Sequence, residues 1–237
     1  MDAHHATAAA PAGARAAFDA PVDPWLRMRF APVRHAHRAA RGGTPVRDAL
    51  CALASARPDP AARALGLRRV RALLDRERGL LRRRLANGAP AGEIAEAEAR
   101  LLDGTVIGLC HLARLPDQGS AVMVPPLAVI ARGDYGRRKL APGASADLLF
   151  LVGADPVRLG QGLAITQLMA RELAVLGWHV ASAKRTVRGC LAETHLDPRV
   201  ASDLWSARLV WGCHDLFAEL GTGIQHARRR EPARTAA

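Results

Sequence analysis

Aromatic side chains are scarce in this chain of 237 residues, only 4% of the total with a single Tyr. Acidic residues are also few, 22 Asp and Glu against 34 Lys and Arg, for a formal net charge of +12. A basic excess suits a polyanion, but single-stranded nucleic acid also needs aromatic platforms interleaved with the basic residues. Those platforms are missing. The excess reads instead as Arg and Ala spread throughout, as a GC-rich coding sequence gives, so nucleic acid is not expected as a partner. A basic surface equally suits a triphosphate.

Cysteine is limited to Cys51, Cys110, Cys190 and Cys213, with no CxxC pair and no matching histidine spacing. That excludes a zinc finger or a disulfide framework and leaves free thiols in a reducing compartment as the expectation. No apolar run approaches the length of a membrane span, and the N-terminus lacks the apolar core of a signal peptide. The expected location is the cytoplasm, with no membrane partner.

Four regions are expected. Residues 1–45 are rich in Ala, Pro, Arg and His without sustained periodicity and read as a disordered tail. Their His4-His5 and His35-x-His37 pairs read as incidental rather than metal ligands. Residues 46–116 read as helical. Leu65, Val70, Leu73, Leu74, Leu80, Leu81 and Leu85 recur at three- and four-residue steps, then Asn87-Gly88-Ala89-Pro90 stops the pattern. A second helix is expected over Ala91–Leu115. Residues 120–222 alternate strand and helix patterns, with a strand expected over Trp178–Ala183. Residues 223–237, with Arg228-Arg229-Arg230, read as a disordered basic tail.

The informative stretch is Leu127–Val152, LAVIARGDYGRRKLAPGASADLLFLV. A buried strand over Leu127–Ala131 leads into a glycine turn over Arg132–Gly136. A basic segment closed by Pro142 and Gly143 follows, then a second apolar strand carrying one acid, Asp147. An acid beside Leu-Leu-Phe-Leu-Val is costly unless it meets a cation, a metal or a hydrogen-bond network. Asp147 is therefore the first candidate for a functional role.

Gly133-Asp134-Tyr135-Gly136-Arg137, Leu140-Ala141-Pro142 and Ser145-Ala146-Asp147-Leu148-Leu149-Phe150 resemble, without a gap, the motif of bacterial PII uridylyltransferases. In that family the motif lies in an N-terminal nucleotidyltransferase domain of the polymerase-β superfamily. Leu176-Gly177 through Ser182-Ala183-Lys184-Arg185-Thr186 resembles a second passage of the family about thirty residues downstream. The resemblance covers roughly Leu127–Leu220 and implies a helix over Ala201–Val210. It implies an α+β fold, a small mixed sheet flanked by helices, and a magnesium-dependent transfer of UMP from UTP to a tyrosine of a PII-like signalling protein.

The same resemblance implies roles for individual residues. Asp147 is the implied catalytic residue and metal ligand. Gly133, Asp134, Gly136, Arg137, Ser145 and Arg185 are the implied nucleotide-binding set, with UTP or another nucleoside triphosphate as ligand. Arg185 would meet a phosphate or hold a carboxylate. Two positions depart from the family: the second glycine of its turn is Asp134, and its first metal-ligand aspartate is Ser145. An anion in the phosphate loop repels nucleotide, and a hydroxyl replaces a carboxylate poorly. Impaired transfer with magnesium held weakly or lost is thus expected. The alternative is a catalytically dead copy that binds nucleotide or a partner as a regulatory protein, and Asp134 replacing the missing carboxylate is a further option. The family's hydrolase and ligand-sensing domains find no counterpart before Ala237 and are expected to be absent.

Overall fold

A computed structural model describes residues 44–114, 127–154 and 156–230. The expected tail over 1–45 lies outside these residues except for Thr44 and Pro45. Helix α1 spans Pro45–Ser55, α2 Pro60–Ala86 and α3 Ala91–Arg114. The caps explain the first two starts. Thr44 Oγ1 accepts a hydrogen bond from Arg47 N at 3.2 Å, and Asp59 Oδ1 accepts one from Ala62 N at 2.7 Å. Each cap is followed by a proline whose missing N–H costs nothing at the first helical position.

Strand β1 (Leu127–Arg132) enters a single helical turn, α4 (Gly133–Gly136), and β2 (Ala146–Val152) returns antiparallel to it. Helix α5 (Pro156–Val175) crosses over to β3 (Val180–Arg185), which lies parallel to β2. Helices α6 (Val187–Leu196) and α7 (Pro198–Trp205) precede β4 (Arg208–Gly212), which pairs antiparallel with the other edge of β1. Helix α8 spans His214–Arg230. Among the described residues the sheet order is β3-β2-β1-β4, and the fold is α+β, a small mixed sheet flanked by helices.

The two central strands are almost wholly buried, which is why they read as continuous apolar runs rather than alternating ones. Leu127, Val129, Leu148, Phe150 and Val152 face the main core with α1, α2, α3 and α5. Ile130 and Leu149 lie directly opposite each other on the other face, the face shared by Arg132 and Asp147. No helix among the described residues is long and apolar enough to cross a membrane.

Several expectations change. The strand expected over Trp178–Ala183 begins at Val180, because Gly177 at φ +77° and the bond from Trp178 N to Leu173 O (2.9 Å) still close off α5. The helix expected over Ala201–Val210 stops at Trp205. Arg208, Leu209 and Trp211 instead take up the free edge of β1, a long-range pairing that no local breaker announces. The tail expected from 223 is helical as far as Arg230: Ile224 is buried, and Gly223 packs against Leu191 of α6. Residues 231–237 lie outside the described residues.

Candidate functional site

The site forms where β1 hands over to β2. Gly133 adopts φ +55°, a conformation that L side chains rarely take. A Cβ there would lie 3.1 Å from Asp147 Oδ2 and 3.9 Å from Asp203 Oδ1. The bare backbone of the turn thus lies beneath two carboxylates. Gly136 is fixed by contact instead: a Cβ would meet Ser206 O at 2.3 Å and Ala131 O at 3.0 Å. The end of α7 therefore rests on the turn, and the Ser206 hydroxyl donates to Gly133 O at 3.3 Å and to Asp203 O at 2.9 Å.

Asp147 is partly buried and lies directly opposite Arg132 in the antiparallel register. Burial pushes its carboxyl above the ordinary carboxylate range, Arg132 pulls it back, and Asp203 and Asp134 push it up again. The sequence shows no third carboxylate on a neighbouring strand, and Asp203 is expected only as part of a helix. It reaches the site because α7 docks on the turn. Arg132 is expected as the first residue of the turn, yet it ends the strand, directly opposite Asp147 in the register.

The remaining candidates are distributed differently. Asp134 is 70% exposed and accepts from Arg137 NH2 at 2.9 Å, so its carboxylate turns to solvent beside Arg137 rather than completing a ligand set. Ser145 is exposed just before β2. Arg185 donates to Glu193 through Nε and to Lys184 O at 2.9 Å. The site's acids are thus Asp147 and Asp203, with a cation at Arg132. Among the described residues no group of three or more His, Cys, Asp or Glu is arranged to hold a metal. This donor set does not fit a tightly held magnesium ion, which wants several oxygen ligands and no competing cation.

Behind the turn lies a network that sequence reading missed. Tyr135 is fully buried and its hydroxyl donates to Asp103 Oδ1 at 2.7 Å. Arg208 grips the same carboxylate bidentately, at 2.9 Å on each oxygen, and its NH2 reaches Tyr135 O at 3.4 Å. Burial, then the Asp103 charge, push the Tyr135 phenol well above its ordinary range, so it stays neutral and donating. Helix α3, the turn and β4 are thereby tied to one carboxylate.

Because its folded pKa is raised, Asp147 contributes most favourably when protonated, and that contribution is lost as pH rises through the folded value. Asp147→Asn should therefore stabilise the fold at pH 7, by less than about 1 kcal/mol once solvent screening of this half-exposed group is allowed for. The gain should shrink as pH falls through that raised value and be gone below about 4, the ordinary Asp pKa. Thermal melts of both proteins across that pH range check it.

No family model matches the chain. It is similar to several proteins described as bifunctional uridylyltransferase/uridylyl-removing enzymes. The relative from Thiobacillus denitrificans is 34% identical over 95 residues, 40% of this chain and 11% of the relative. That from Phenylobacterium zucineum is 31% identical over 176 residues, 71% of this chain and 18% of the relative. That from Pseudoalteromonas translucida is 29% identical over 140 residues, 57% of this chain and 15% of the relative. The likeness places the chain loosely with uridylyltransferases. The matched part spans less than a fifth of each of these curated relatives.

Proposed function

We propose that this chain is a polymerase-β-like nucleotidyltransferase domain of the PII uridylyltransferase type, binding UTP or another nucleoside triphosphate at the β1–β2 turn with transfer strongly impaired. The observation that carries the reading is the placement of Asp147 over the backbone of Gly133, where a carboxylate, a left-handed glycine and a tightly packed second glycine meet. In the transfer itself a tyrosine hydroxyl of a PII-like protein would attack the α-phosphorus of UTP. The new bond is O–P, the bond to pyrophosphate breaks, and the hydroxyl proton leaves to solvent or a base. This chain's part is positioning: Gly133 and Gly136 let the backbone approach the phosphates, Asp147 orients groups from above the turn, and Arg137 lies at the rim. Ser145 removes one anionic ligand from that arrangement, which accounts for the impairment.

A second reading, a regulatory protein that binds nucleotide or a partner without transfer, is favoured by Arg132, which places a fixed cation beside the one strand acid. Both readings share the nucleotide. Calorimetric titration with UTP in magnesium should show weak binding by the native chain and at least tenfold tighter binding by the Ser145→Asp, Asp134→Gly double variant. Assay of label transfer from UTP to a PII-like protein then separates the readings, because only an impaired transferase transfers label above background as the native chain. Absence of UTP binding by both proteins would sink the nucleotide reading.

A further inference from the structure

Helix α2 carries nine Arg against Asp75 and Glu77, a net +7 of the chain's +12. Its arginines divide into two ladders on opposite sides of the helix. The inner ladder is fully engaged: Arg63 reaches Glu172 at 3.3 Å, Arg71 donates to Val175 O at 2.8 Å, and Arg78 donates to Glu98 at 2.9 Å and lies 3.7 Å over the Trp178 ring. These contacts fix α2 to α3 and to the end of α5. The outer ladder is Arg69, Arg76 and Arg83, spaced two helical turns apart and exposed. Among the described residues none of the three has an ion-pair or hydrogen-bond partner. Leu65, Ala72 and Leu80 fill in the same face at steps of three and four residues, and the stripe contains no acid. Leu65 is 43% exposed and Leu80 40%. Gly79 falls on this face too, between Arg76 and Arg83. Helix α1 explains the other glycine of α2, since a Cβ on Gly66 would stand 2.5 Å from Leu53 Cδ1. Nothing inside the fold explains Gly79: a Cβ there would meet nothing nearer than Arg82 NH2, at 3.9 Å, and a mid-helix glycine weakens a helix relative to Ala.

Charge decides what can cover this face. A second copy of the chain would oppose two cationic stripes, and residues 1–43, with six Arg against three Asp, are themselves basic. A lipid surface wants a broad apolar face with aromatic residues, and α2 has no aromatic residue and only two exposed leucines on the stripe. A nucleic-acid backbone would use the arginines and leave Leu65, Leu80 and the gap at Gly79 without a role. An acidic helix uses all of them. Its apolar side chains meet the leucines, the gap lets the two backbones approach closely, and carboxylates at heptad spacing meet the guanidinium forks, as Glu172 and Glu98 already do on the inner side. We propose that the outer stripe of α2 is a docking surface for an acidic amphipathic helix of another protein. The helix lies along residues 65–83, about 27 Å of α2, with carboxylates on Arg69, Arg76 and Arg83. This surface is independent of the nucleotide reading.

The test is a fluorescence anisotropy titration of the full chain, at physiological salt, with a labelled synthetic peptide of about three heptads that has Leu on one face and Glu flanking it. A peptide of the same residues in scrambled order is the control. Native protein should bind the amphipathic peptide at least tenfold more tightly than the scrambled one. The triple variant Arg69→Gln, Arg76→Gln, Arg83→Gln should lose at least tenfold. Removing three exposed cations elsewhere, by Lys139→Gln, Arg188→Gln and Arg199→Gln, should cost less than threefold. Gly79→Gln should melt no lower than native, since Gln suits a helix better than Gly, yet lose at least fivefold by filling the gap. A DNA duplex and vesicles of phosphatidylcholine with phosphatidylserine, added as competitors, should displace the peptide only weakly. The proposal falls if the scrambled peptide binds as tightly, or if the two triple variants lose affinity equally, since general charge then suffices. It also falls if the duplex or the vesicles bind native protein more tightly than the peptide does, or if neither peptide binds. None of these results bears on UTP binding, which is titrated separately.

Discussion

Asp103→Ala is expected to cost the fold about 3 kcal/mol, the largest single effect anticipated outside the hydrophobic core. Asp103 is mid-helix in α3, and its carboxylate receives Tyr135 and both terminal nitrogens of Arg208. Side-chain exposures of 16% for Asp103 and 20% for Arg208 make this a largely desolvated pair. Removing one partner of such a pair leaves the other's charge buried without compensation, and costs about 3–5 kcal/mol where burial is complete. Partial exposure argues for the lower end. The Tyr135 hydroxyl, buried with it, also loses its acceptor. For a domain of this size the melting temperature should fall roughly 6–12 °C. A double-mutant cycle with Arg208→Met separates lost pairing from a stranded charge. The double variant should be more stable than Asp103→Ala alone, because no unpaired cation remains. A drop of less than about 1 kcal/mol in Asp103→Ala would show that the network contributes little.

Gly136→Ala is expected to be nearly as damaging, about 3 kcal/mol, the upper end of the usual cost of overpacking. The added methyl would stand 2.3 Å from Ser206 O and 3.0 Å from Ala131 O, and both neighbours are backbone. Neither can rotate away as a side chain would. Ala131 is held within β1, whose pairing with β2 and β4 resists movement, so α7 must retreat. Asp203 and Ser206 retreat with it, which opens the site beside Gly133. UTP affinity should therefore fall together with the melting temperature. Gly92→Ala serves as the control: a Cβ at that helical position meets nothing within 4 Å. It should be neutral or slightly stabilising, by up to about 1 kcal/mol, since Ala suits a helix better.

Much of the scaffold was legible in the sequence because its signals are local. The Leu127–Ala131 and Leu148–Val152 runs are apolar since both sheet faces are covered, and α2 and α3 are bounded by Asp59-Pro60 and by Asn87-Gly88-Ala89-Pro90. Asp147 stood out as an acid in an apolar strand, and the fold does place it against a cation. What escaped was long-range. Asp103 pairs with a residue 105 positions away and a tyrosine 32 positions away, and nothing in Leu-Leu-Asp-Gly-Thr-Val hints at either. Asp203 belongs to the site only because α7 docks on Gly136. The start of strand β4 falls within the helix that the resemblance implies over Ala201–Val210, and only the open edge of β1 makes Arg208–Gly212 extended. Arg185 pairs with an acid one helix later, Glu193, which its place at a strand end does not announce.

Hydrogen–deuterium exchange of the full chain with and without UTP tests the nucleotide site most directly. Protection is expected to concentrate on Arg132–Gly136 and on Ser145–Asp147, because the ligand is held by the turn and the residue facing it. Protection confined to the arginine-rich surface of α2, or none at saturating UTP, would contradict a nucleotide site at the β1–β2 turn.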